Sequence, residues 1–306
     1  MCIRDRDVTP ILDSLNDAQR SAVTEPEGSA LILAGAGSGK TRVLVRRIAW
    51  LCCVKSISPY NILAVTFTNK AAGEMRERIE ALLEVSMVGM WVGTFHAICH
   101  RILRTHYKEA SLPATFQILD ANDQYRLIKK IIKTLDIDED QWSSKTAQWY
   151  INAKKEEGLA PEDIKINKNE TERQLLRIYV NYEEACKKSG LVDFAGLLIQ
   201  TLMLLKENAH ILSKYHDRFE YILVDEFQDT NALQYKWLRL LSNNNVPVFA
   251  VGDDDQSIYR WRGARIENIH NFSKDFENVK TFKLEQNYRS TGNILTAANN
   301  LITNNK

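Results

Sequence analysis

The sequence predicts an α/β fold in which a parallel sheet domain carries a phosphate loop and is interrupted by an all-helical insertion subdomain. Apolar strand patterns alternate with helical patterns in residues 30–105, which is typical of βαβ units and of a parallel sheet. Residues 106–215 show helical periodicity with few strand patterns, and strand patterns return after residue 217. We therefore expect one sheet that is built from two separate stretches of the chain.

The composition excludes several classes of protein. The chain has 306 residues, enough for two domains or for one domain with a large insertion. No apolar run approaches the roughly 20 residues that span a bilayer, and the five cysteines match neither a disulfide framework nor a paired metal-binding pattern. The net charge of +1 gives no sign of a polyanionic partner, so nucleic acid would need a local groove. We expect a reduced, cytoplasmic protein without a membrane partner.

The individual elements follow in chain order from these patterns. Residues 1–10 are predicted to be an unstructured leader. Asp120 precedes a helical pattern and is a candidate N-cap, because its carboxylate can accept backbone N–H groups. The predicted strands are "ALILA", "NILAVTF", "YILVDEF" and "VPVFAVGDD". The predicted helices begin after Lys40 and at "NKAAGEMRERIEALL", "DANDQYRLIKKIIKTL", "TERQLLRIYVNYEEACKKSG" and "DFAGLLIQTLMLLKE".

The stretch "AGAGSGKT", Ala34–Thr41, follows the first predicted strand and fits the phosphate-loop pattern, with alanine at its first position. Glycines at positions 35, 37 and 39 allow backbone conformations that other residues rarely adopt, so the loop amides can face a phosphate. The following helix adds its positive dipole end. Lys40 would contact the β- and γ-phosphates, and the Thr41 hydroxyl would bind Mg²⁺. The predicted nucleotide contacts are Ala36, Gly37, Ser38, Gly39, Lys40 and Thr41.

A second motif, "YILVDEFQDTN", is an apolar strand that ends in two acids. The end of a strand beside a phosphate loop is a suitable place for a metal-binding carboxylate. Asp225 would therefore hold Mg²⁺, and Glu226 would act as the general base toward water. A solvated acidic turn is the alternative. Together the two motifs predict a chain that binds a nucleoside triphosphate with Mg²⁺ and hydrolyses it.

These segments, in this order, resemble superfamily 1 DNA helicases of the UvrD/Rep/PcrA type. The resemblance covers the chain from about residue 12 onward, and it implies a RecA-like motor domain and ATP-driven 3′ to 5′ translocation on single-stranded DNA in DNA repair. The motifs that carry it are "LNDAQRSAV", "AGAGSGKT", "AVTFTNKAAGEMRERI", "VGTFHAICHRILR", "LVDFAGLL", "ILVDEFQDTN", "VGDDDQSIYRWRGA" and "LEQNYRS".

The resemblance implies roles for five further residues near the nucleotide. Gln19 would read the adenine edge, since an amide offers a donor and an acceptor side by side. Arg42 would lie near the nucleotide, and Tyr288 would stack on adenine. Gln256 would sense the γ-phosphate, and Arg289 would act as an arginine finger from the second motor domain. A surface salt bridge is the alternative for Arg289.

In terms of the family, aromatic and polar residues between these motifs would line a channel for single-stranded DNA. Aromatic side chains accept any base by stacking, and polar groups hold the sugar–phosphate backbone. Core packing is the alternative for each aromatic residue. The predicted partners are single-stranded DNA, single/double-strand junctions and repair-protein loading partners. The predicted DNA contacts are Phe67, Thr94, His96, Tyr259, Trp261 and Arg262.

The family also implies a domain layout. Residues 1–94 and 218–285 would form the first motor domain, residues 95–217 the helical insertion, and residues 286–306 the start of a second motor domain. We expect such a fragment to bind nucleotide weakly, to hydrolyse it slowly or not at all, and not to unwind DNA. Three alternatives stay open: the motor part of a helicase–nuclease subunit, a non-catalytic DNA-binding module, and an ATPase that acts on RNA.

Overall fold

The computed structural model describes residues 7–25, 27–86, 88–165, 169–243, 245–257 and 263–302. Its helices are α1 (Thr9–Leu12), α2 (Asp17–Thr24), α3 (Lys40–Cys53), α4 (Asn69–Leu83), α5 (Phe95–Thr105), α6 (Ala121–Thr134), α7 (Ser144–Glu157), α8 (Glu170–Ser189), α9 (Phe194–Glu207), α10 (Ala209–Arg218), α11 (Ala232–Ser242), α12 (Glu267–Asp275) and α13 (Gly292–Ile302). Its strands are β1 (Ala30–Ala34), β2 (Ile62–Thr66), β3 (Trp91–Thr94), β4 (Gln117–Leu119), β5 (Leu191–Asp193), β6 (Tyr221–Val224), β7 (Val248–Gly252) and β8 (Lys280–Leu284).

Six of the strands form one parallel sheet in the order β3-β2-β6-β7-β1-β8. The prediction of a parallel sheet built from two stretches of the chain is therefore confirmed, as are the four predicted strands. The edge strand β8, "KTFKL", is not predicted, because it alternates charged with apolar residues and leaves most of its length exposed. The inner strands are buried along almost their whole length, which explains their continuous apolar sequences.

Local capping signals fix where the helices begin. Asn16 accepts the Gln19 N–H, and Gln19 accepts the Asn16 N–H, which completes a capping box at the start of α2. The side chain of Asp120 accepts the backbone N–H groups of Asn122 and Asp123 in the first turn of α6, so its predicted role as an N-cap is confirmed. The short helix α1 begins at Thr9, inside the stretch that the sequence predicts to be an unstructured leader.

The described residues separate into two compact units. The first unit comprises residues up to 95, 213–230 and 238 onward, and it contains the six-stranded sheet. The second unit comprises residues 96–212 and 231–237. The domain boundaries given by the family resemblance stay a prediction.

The second unit has its own core of apolar side chains from α6, α7 and α8. It also contains a two-stranded parallel sheet, β4 with β5, in the region predicted to be all-helical. These strands have three residues each, which is too short to give a recognisable alternation in the sequence. Among the described residues, no helix combines the length and the apolar character needed to cross a membrane.

Candidate nucleotide-binding site

Three neighbouring strands of the large sheet end at the same edge and carry the loops of the site. Strand β7 lies between β1 and β6, and all three run parallel. The loop 35–39 follows β1, Asp225 follows β6, and Asp253 follows β7. The parallel arrangement therefore brings together residues that are far apart in the sequence.

The loop after β1 adopts the backbone conformation that a phosphate loop requires. Gly37 and Gly39 have positive φ angles of 71° and 88°, in the left-handed region that favours glycine. Gly35 shows no positive φ, and a Cβ atom added there would meet nothing within 4 Å. The prediction that position 35 needs glycine for its conformation is therefore wrong. Ser38 is buried and closes the turn, since its hydroxyl donates to the Gly35 carbonyl at 2.7 Å.

Lys40 opens α3 and points to the tips of the two neighbouring strands. Its Nζ lies 3.3 Å from Oε2 of Glu226 and 3.2 Å from Oε1 of Gln256. The lysine side chain is 11% exposed and the glutamate side chain 37%. Three residues predicted to act on the nucleotide thus meet in one place in the first compact unit.

Gln228 connects the residues that follow β6 with those that follow β7. Its Nε2 donates to Oε2 of Glu226 at 2.7 Å, and its Oε1 accepts the backbone N–H of Asp253 at 3.0 Å. Gln256 in turn donates from Nε2 to Oδ2 of Asp253. Glu226 itself has a positive φ of 48°, an uncommon conformation for a non-glycine residue. The carboxylate of Glu226 is therefore held in a defined orientation by a lysine and an amide.

Among the described residues, several carboxyl groups lie close to Lys40, and their ionised forms are poorly stabilised. Burial and the neighbouring Glu226 raise the pKa of Asp225 to about 6. The same two causes, burial first, raise the pKa of Asp229 to about 6. Burial also raises the pKa of Asp253. Each shift means that the ionised carboxylate is poorly stabilised, so an additional cation at this place would be stabilised by the protein.

The residues predicted to hold Mg²⁺ fit a hard divalent cation. Thr41 and Asp225 offer oxygen atoms, which Mg²⁺ prefers as ligands. Asp229 has a buried Oδ1 that no hydrogen bond satisfies in the part of the chain that the structure describes. Among those residues, no group of three or more His, Cys, Asp and Glu side chains is arranged to hold a metal alone.

Gln19, Arg42 and Tyr288, which are predicted to lie at the nucleotide, are close to the phosphate loop. The Gln19 side chain is fully buried, and its Nε2 donates to the Ser38 carbonyl at 2.7 Å. Arg42 lies with its guanidinium carbon 6.0 Å from the ring centroid of Tyr288, and the Tyr288 ring is 49% exposed. The hydroxyl of Tyr288 accepts a hydrogen bond from Nδ2 of Asn16 at 2.7 Å. Gln19 thus supports the loop, while Arg42 and Tyr288 offer accessible flat surfaces.

Arg289 is exposed and lies beside the phosphate loop. A Cβ atom added to Gly37 would come within 2.7 Å of the Arg289 Cβ. The backbone N–H of Tyr288 donates to the Gly37 carbonyl at 2.9 Å. The segment that carries the predicted arginine finger is therefore in direct contact with the loop.

The predicted DNA contacts are only partly described. Phe67 directly follows β2, and Thr94 ends the neighbouring strand β3, so both lie at the edge of the sheet that carries the site. Both side chains are partly exposed. In the second unit, His96 lies edge-on to Phe194 at 5.6 Å between ring centroids, and burial lowers its pKa. The remaining predicted contacts lie outside the described residues: Tyr259, Trp261 and Arg262.

Five residues belong to the site although the motifs assign them no role. Asp253 could have been found by the same signal as Asp225, because both follow an apolar strand of the same sheet. Of the other four, three contact distant parts of the chain, and Asp229 has a buried oxygen without a hydrogen bond among the described residues; neither property can be read from a single sequence. These four residues are Asn16, Gln228, Asp229 and Asn287.

Comparison with known proteins agrees with this geometry. The model of the UvrD/REP helicase N-terminal domain matches residues 15–277. DNA helicase II from Escherichia coli (strain K12) is 58% identical over 299 residues, which are 98% of this chain and 42% of that protein. DNA helicase II from Haemophilus influenzae is 55% identical over 98% of this chain and 42% of its own length.

A third relative is ATP-dependent DNA helicase PcrA from Bacillus subtilis (strain 168), which is 43% identical over 96% of this chain and 40% of its own length. The chain therefore spans about two fifths of the length of these curated relatives.

Proposed function

This chain belongs to the UvrD/REP helicase family, and from that premise we propose that it is the nucleotide-binding part of an ATP-dependent DNA helicase. The observation that carries the proposal is the meeting of Lys40, Glu226 and Gln256 within 3.3 Å at the mouth of a phosphate loop. The names of the relatives support ATP and DNA as ligands. The 3′ to 5′ direction and a role in repair complete the proposal and rest on the family resemblance.

We propose that nucleotide binding changes the partners of Lys40. The β- and γ-phosphates attract its ammonium group away from Glu226, because a polyphosphate carries more charge than one carboxylate. Glu226 then loses an ion pair and becomes a better proton acceptor for the attacking water. Gln228, which holds the same carboxylate oxygen at 2.7 Å, keeps Glu226 in place during this exchange.

Mg²⁺ would be held by Thr41 and Asp225 together with the phosphates, and it would neutralise charge that develops on the transferred phosphoryl group. The raised pKa of about 6 at Asp225 supports this assignment, because a buried acid of this kind gains stability from a nearby cation. Gln19 and Tyr288 are assigned to adenine, Arg42 to the neighbourhood of the nucleotide, and Arg289 to the terminal phosphate. Gln256 is assigned to sensing that phosphate through its contact with Lys40.

The single strand of DNA is assigned to the edge of the sheet where Phe67 and Thr94 lie. An accessible aromatic ring next to a hydroxyl offers stacking for a base and a hydrogen bond for the backbone. His96, Tyr259, Trp261 and Arg262 are assigned to DNA by the family resemblance alone. Since the chain spans two fifths of the length of its relatives, unwinding is assigned to the whole protein.

The test separates binding from hydrolysis. We expect Glu226→Gln to retain Mg-ATP binding, measured by calorimetric titration, while ATP turnover stops in a chain that includes the second motor domain. Wild-type turnover is expected to rise with single-stranded DNA and to be much lower in the 306-residue chain. Asp255→Asn, at an exposed carboxylate close to Gln256, is the matched control and should change neither quantity. Equal turnover of Glu226→Gln and wild type would remove Glu226 as the base.

A further inference from the structure

The side chain of Asn287 attaches the segment 286–290 to the phosphate loop. Its Nδ2 donates to the carbonyl oxygen of Ala36. A Cβ atom added to Gly37 would lie 2.9 Å from this same Nδ2, so the loop and the side chain are already in close contact. The neighbouring Tyr288 N–H donates to the Gly37 carbonyl at 2.9 Å. Two consecutive carbonyl groups of the loop thus accept hydrogen bonds from two consecutive residues of the segment.

The oxygen of the same amide shapes the segment itself. Oδ1 of Asn287 accepts the backbone N–H groups of Arg289 and Ser290, both at 2.8 Å. This is a local turn of the kind that asparagine side chains stabilise. Asn287 therefore uses its oxygen to fix the turn and its nitrogen to attach the turn to the loop, which only an amide can do.

Two functional side chains depend on this turn. Tyr288 and Arg289 are the next two residues, and their own side chains are exposed. The Tyr288 hydroxyl has one further contact, the hydrogen bond from Nδ2 of Asn16, which also donates to Gln286 at 3.1 Å. The backbone that carries both side chains is thus held by the side chain of Asn287.

We propose that Asn287 is a positioning residue of the nucleotide site, which places Tyr288 and Arg289 against the phosphate loop before the nucleotide arrives. The inference rests on the proposed function and deepens it. Pre-organisation increases affinity because the segment need not be ordered during binding. Since Arg289 is assigned to the terminal phosphate, the contribution of Asn287 must be larger for ATP than for ADP.

Two substitutions separate the functions of the amide. Asn287→Ala removes both the turn and the attachment. Asn287→Ser keeps an oxygen that can accept the N–H groups of the turn, but its side chain is too short to reach Ala36, and it adds no charge. Asn293→Ala, at an exposed position in α13, is the matched control.

The experiment is calorimetric titration of the 306-residue chain and its variants with Mg-ATP and Mg-ADP. We expect Asn287→Ala to weaken ATP binding about tenfold and to lower the ratio of ATP to ADP affinity about threefold. Asn287→Ser is expected to lie between wild type and Asn287→Ala, and Asn293→Ala to match wild type.

Unchanged ATP affinity in Asn287→Ala would overturn the proposal. An equal loss for ATP and ADP would also overturn it, because a general structural defect has no reason to discriminate between the two nucleotides. A wild-type chain that binds neither nucleotide would instead refute the nucleotide site itself. The failure of the proposed function is therefore distinguishable from a failure of the role of Asn287.

Discussion

Each compact unit contains a lysine surrounded by carboxylates, but the two lysines are held in different ways. In the second unit, Nζ of Lys155 lies 2.7 Å from Oε1 of Glu183 and 2.8 Å from Oδ2 of Asp193. The Tyr182 hydroxyl donates to the same Asp193 oxygen at 2.7 Å, and the Gly196 N–H donates to the other oxygen at 2.6 Å. Burial opposes the charge of Lys155, but Asp193 and Glu183 outweigh it and raise the pKa of the lysine.

In the first unit, Lys40 makes longer contacts of 3.3 Å to Glu226 and 3.2 Å to Gln256. Burial raises the pKa of carboxyl groups in both units, Glu183 in the second and Asp225 and Asp229 in the first. The difference is that Oδ1 of Asp229 is buried and has no hydrogen bond in the part of the chain that the structure describes. A lysine surrounded by carboxylates can therefore serve either the stability of the fold or the binding of a ligand, depending on how its neighbours are bonded. A fully bonded cluster contributes to folding, whereas a cluster that keeps a buried oxygen without a hydrogen bond is what we expect of a ligand site.

Among the substitutions that test this difference, Lys155→Met is expected to have the largest effect on stability. The substitution leaves Asp193 buried and without its cation, so the free energy of unfolding should fall by about 3–5 kcal/mol. Urea denaturation measures the change. Lys154→Met, at the neighbouring and more exposed lysine, is the control and should change stability by about 0.5 kcal/mol or less. A loss below about 1 kcal/mol in Lys155→Met would show that the network does not stabilise the unit.

Lys40→Ala should act mainly on nucleotide binding rather than on stability. We expect its free energy of unfolding to fall by no more than about 1–2 kcal/mol, less than for Lys155→Met, because the contacts of Lys40 are longer and Glu226 is 37% exposed. Binding of Mg-ATP should weaken about 10- to 150-fold, since a charge-assisted hydrogen bond to phosphate is worth roughly 1.5–3 kcal/mol. Calorimetric titration measures the affinity, with Lys55→Ala as a surface control. Unchanged binding would contradict the assignment of the phosphate loop.

Asp229→Asn tests whether the negative charge around Lys40 destabilises the folded chain. A carboxyl whose pKa is raised from 3.8 to about 6 on folding binds its proton more tightly in the folded chain, so stability falls as pH rises through this window. Removing the charge should therefore stabilise the nucleotide-free chain at pH 7 by about 1–2 kcal/mol, with no gain below pH 4. Denaturation curves at several pH values measure the difference.

Asp255→Asn, at an exposed carboxylate nearby, is the control for Asp229→Asn and should leave the curves unchanged. Asp193→Asn should destabilise the chain, because Asp193 is fully bonded. A stabilising effect of Asp193→Asn would abolish the distinction between the two clusters.

The smallest expected effect belongs to Tyr182→Phe. The substitution removes one hydrogen bond to Asp193 and leaves the ring in place, so the free energy of unfolding should fall by about 1 kcal/mol. Tyr125→Phe, at an exposed tyrosine of α6, provides the baseline in the same denaturation assay. No difference between the two variants would mean that Lys155 and the Gly196 N–H satisfy the buried carboxylate without the tyrosine.

The sequence alone determined the kind of fold and the main motifs. Strand β1 followed by "GAGSGK" predicts a phosphate loop because glycines with positive φ and a helix start are local properties, and Gly37, Gly39 and α3 follow this prediction. The apolar strand before Asp225 is equally local. Membership of the UvrD/REP helicase family follows from motifs that can be read directly in the chain.

Only the tertiary structure decided which of these groups meet and what charge they carry. Lys40 is separated from Glu226 by 186 residues and from Gln256 by 216, and the order of the strands brings them together. The raised pKa of Asp229 depends on burial by other parts of the chain. The bond from Asn287 to Ala36 joins residues 251 positions apart. Packing sets these distances and this burial, and no local pattern in a single sequence records them.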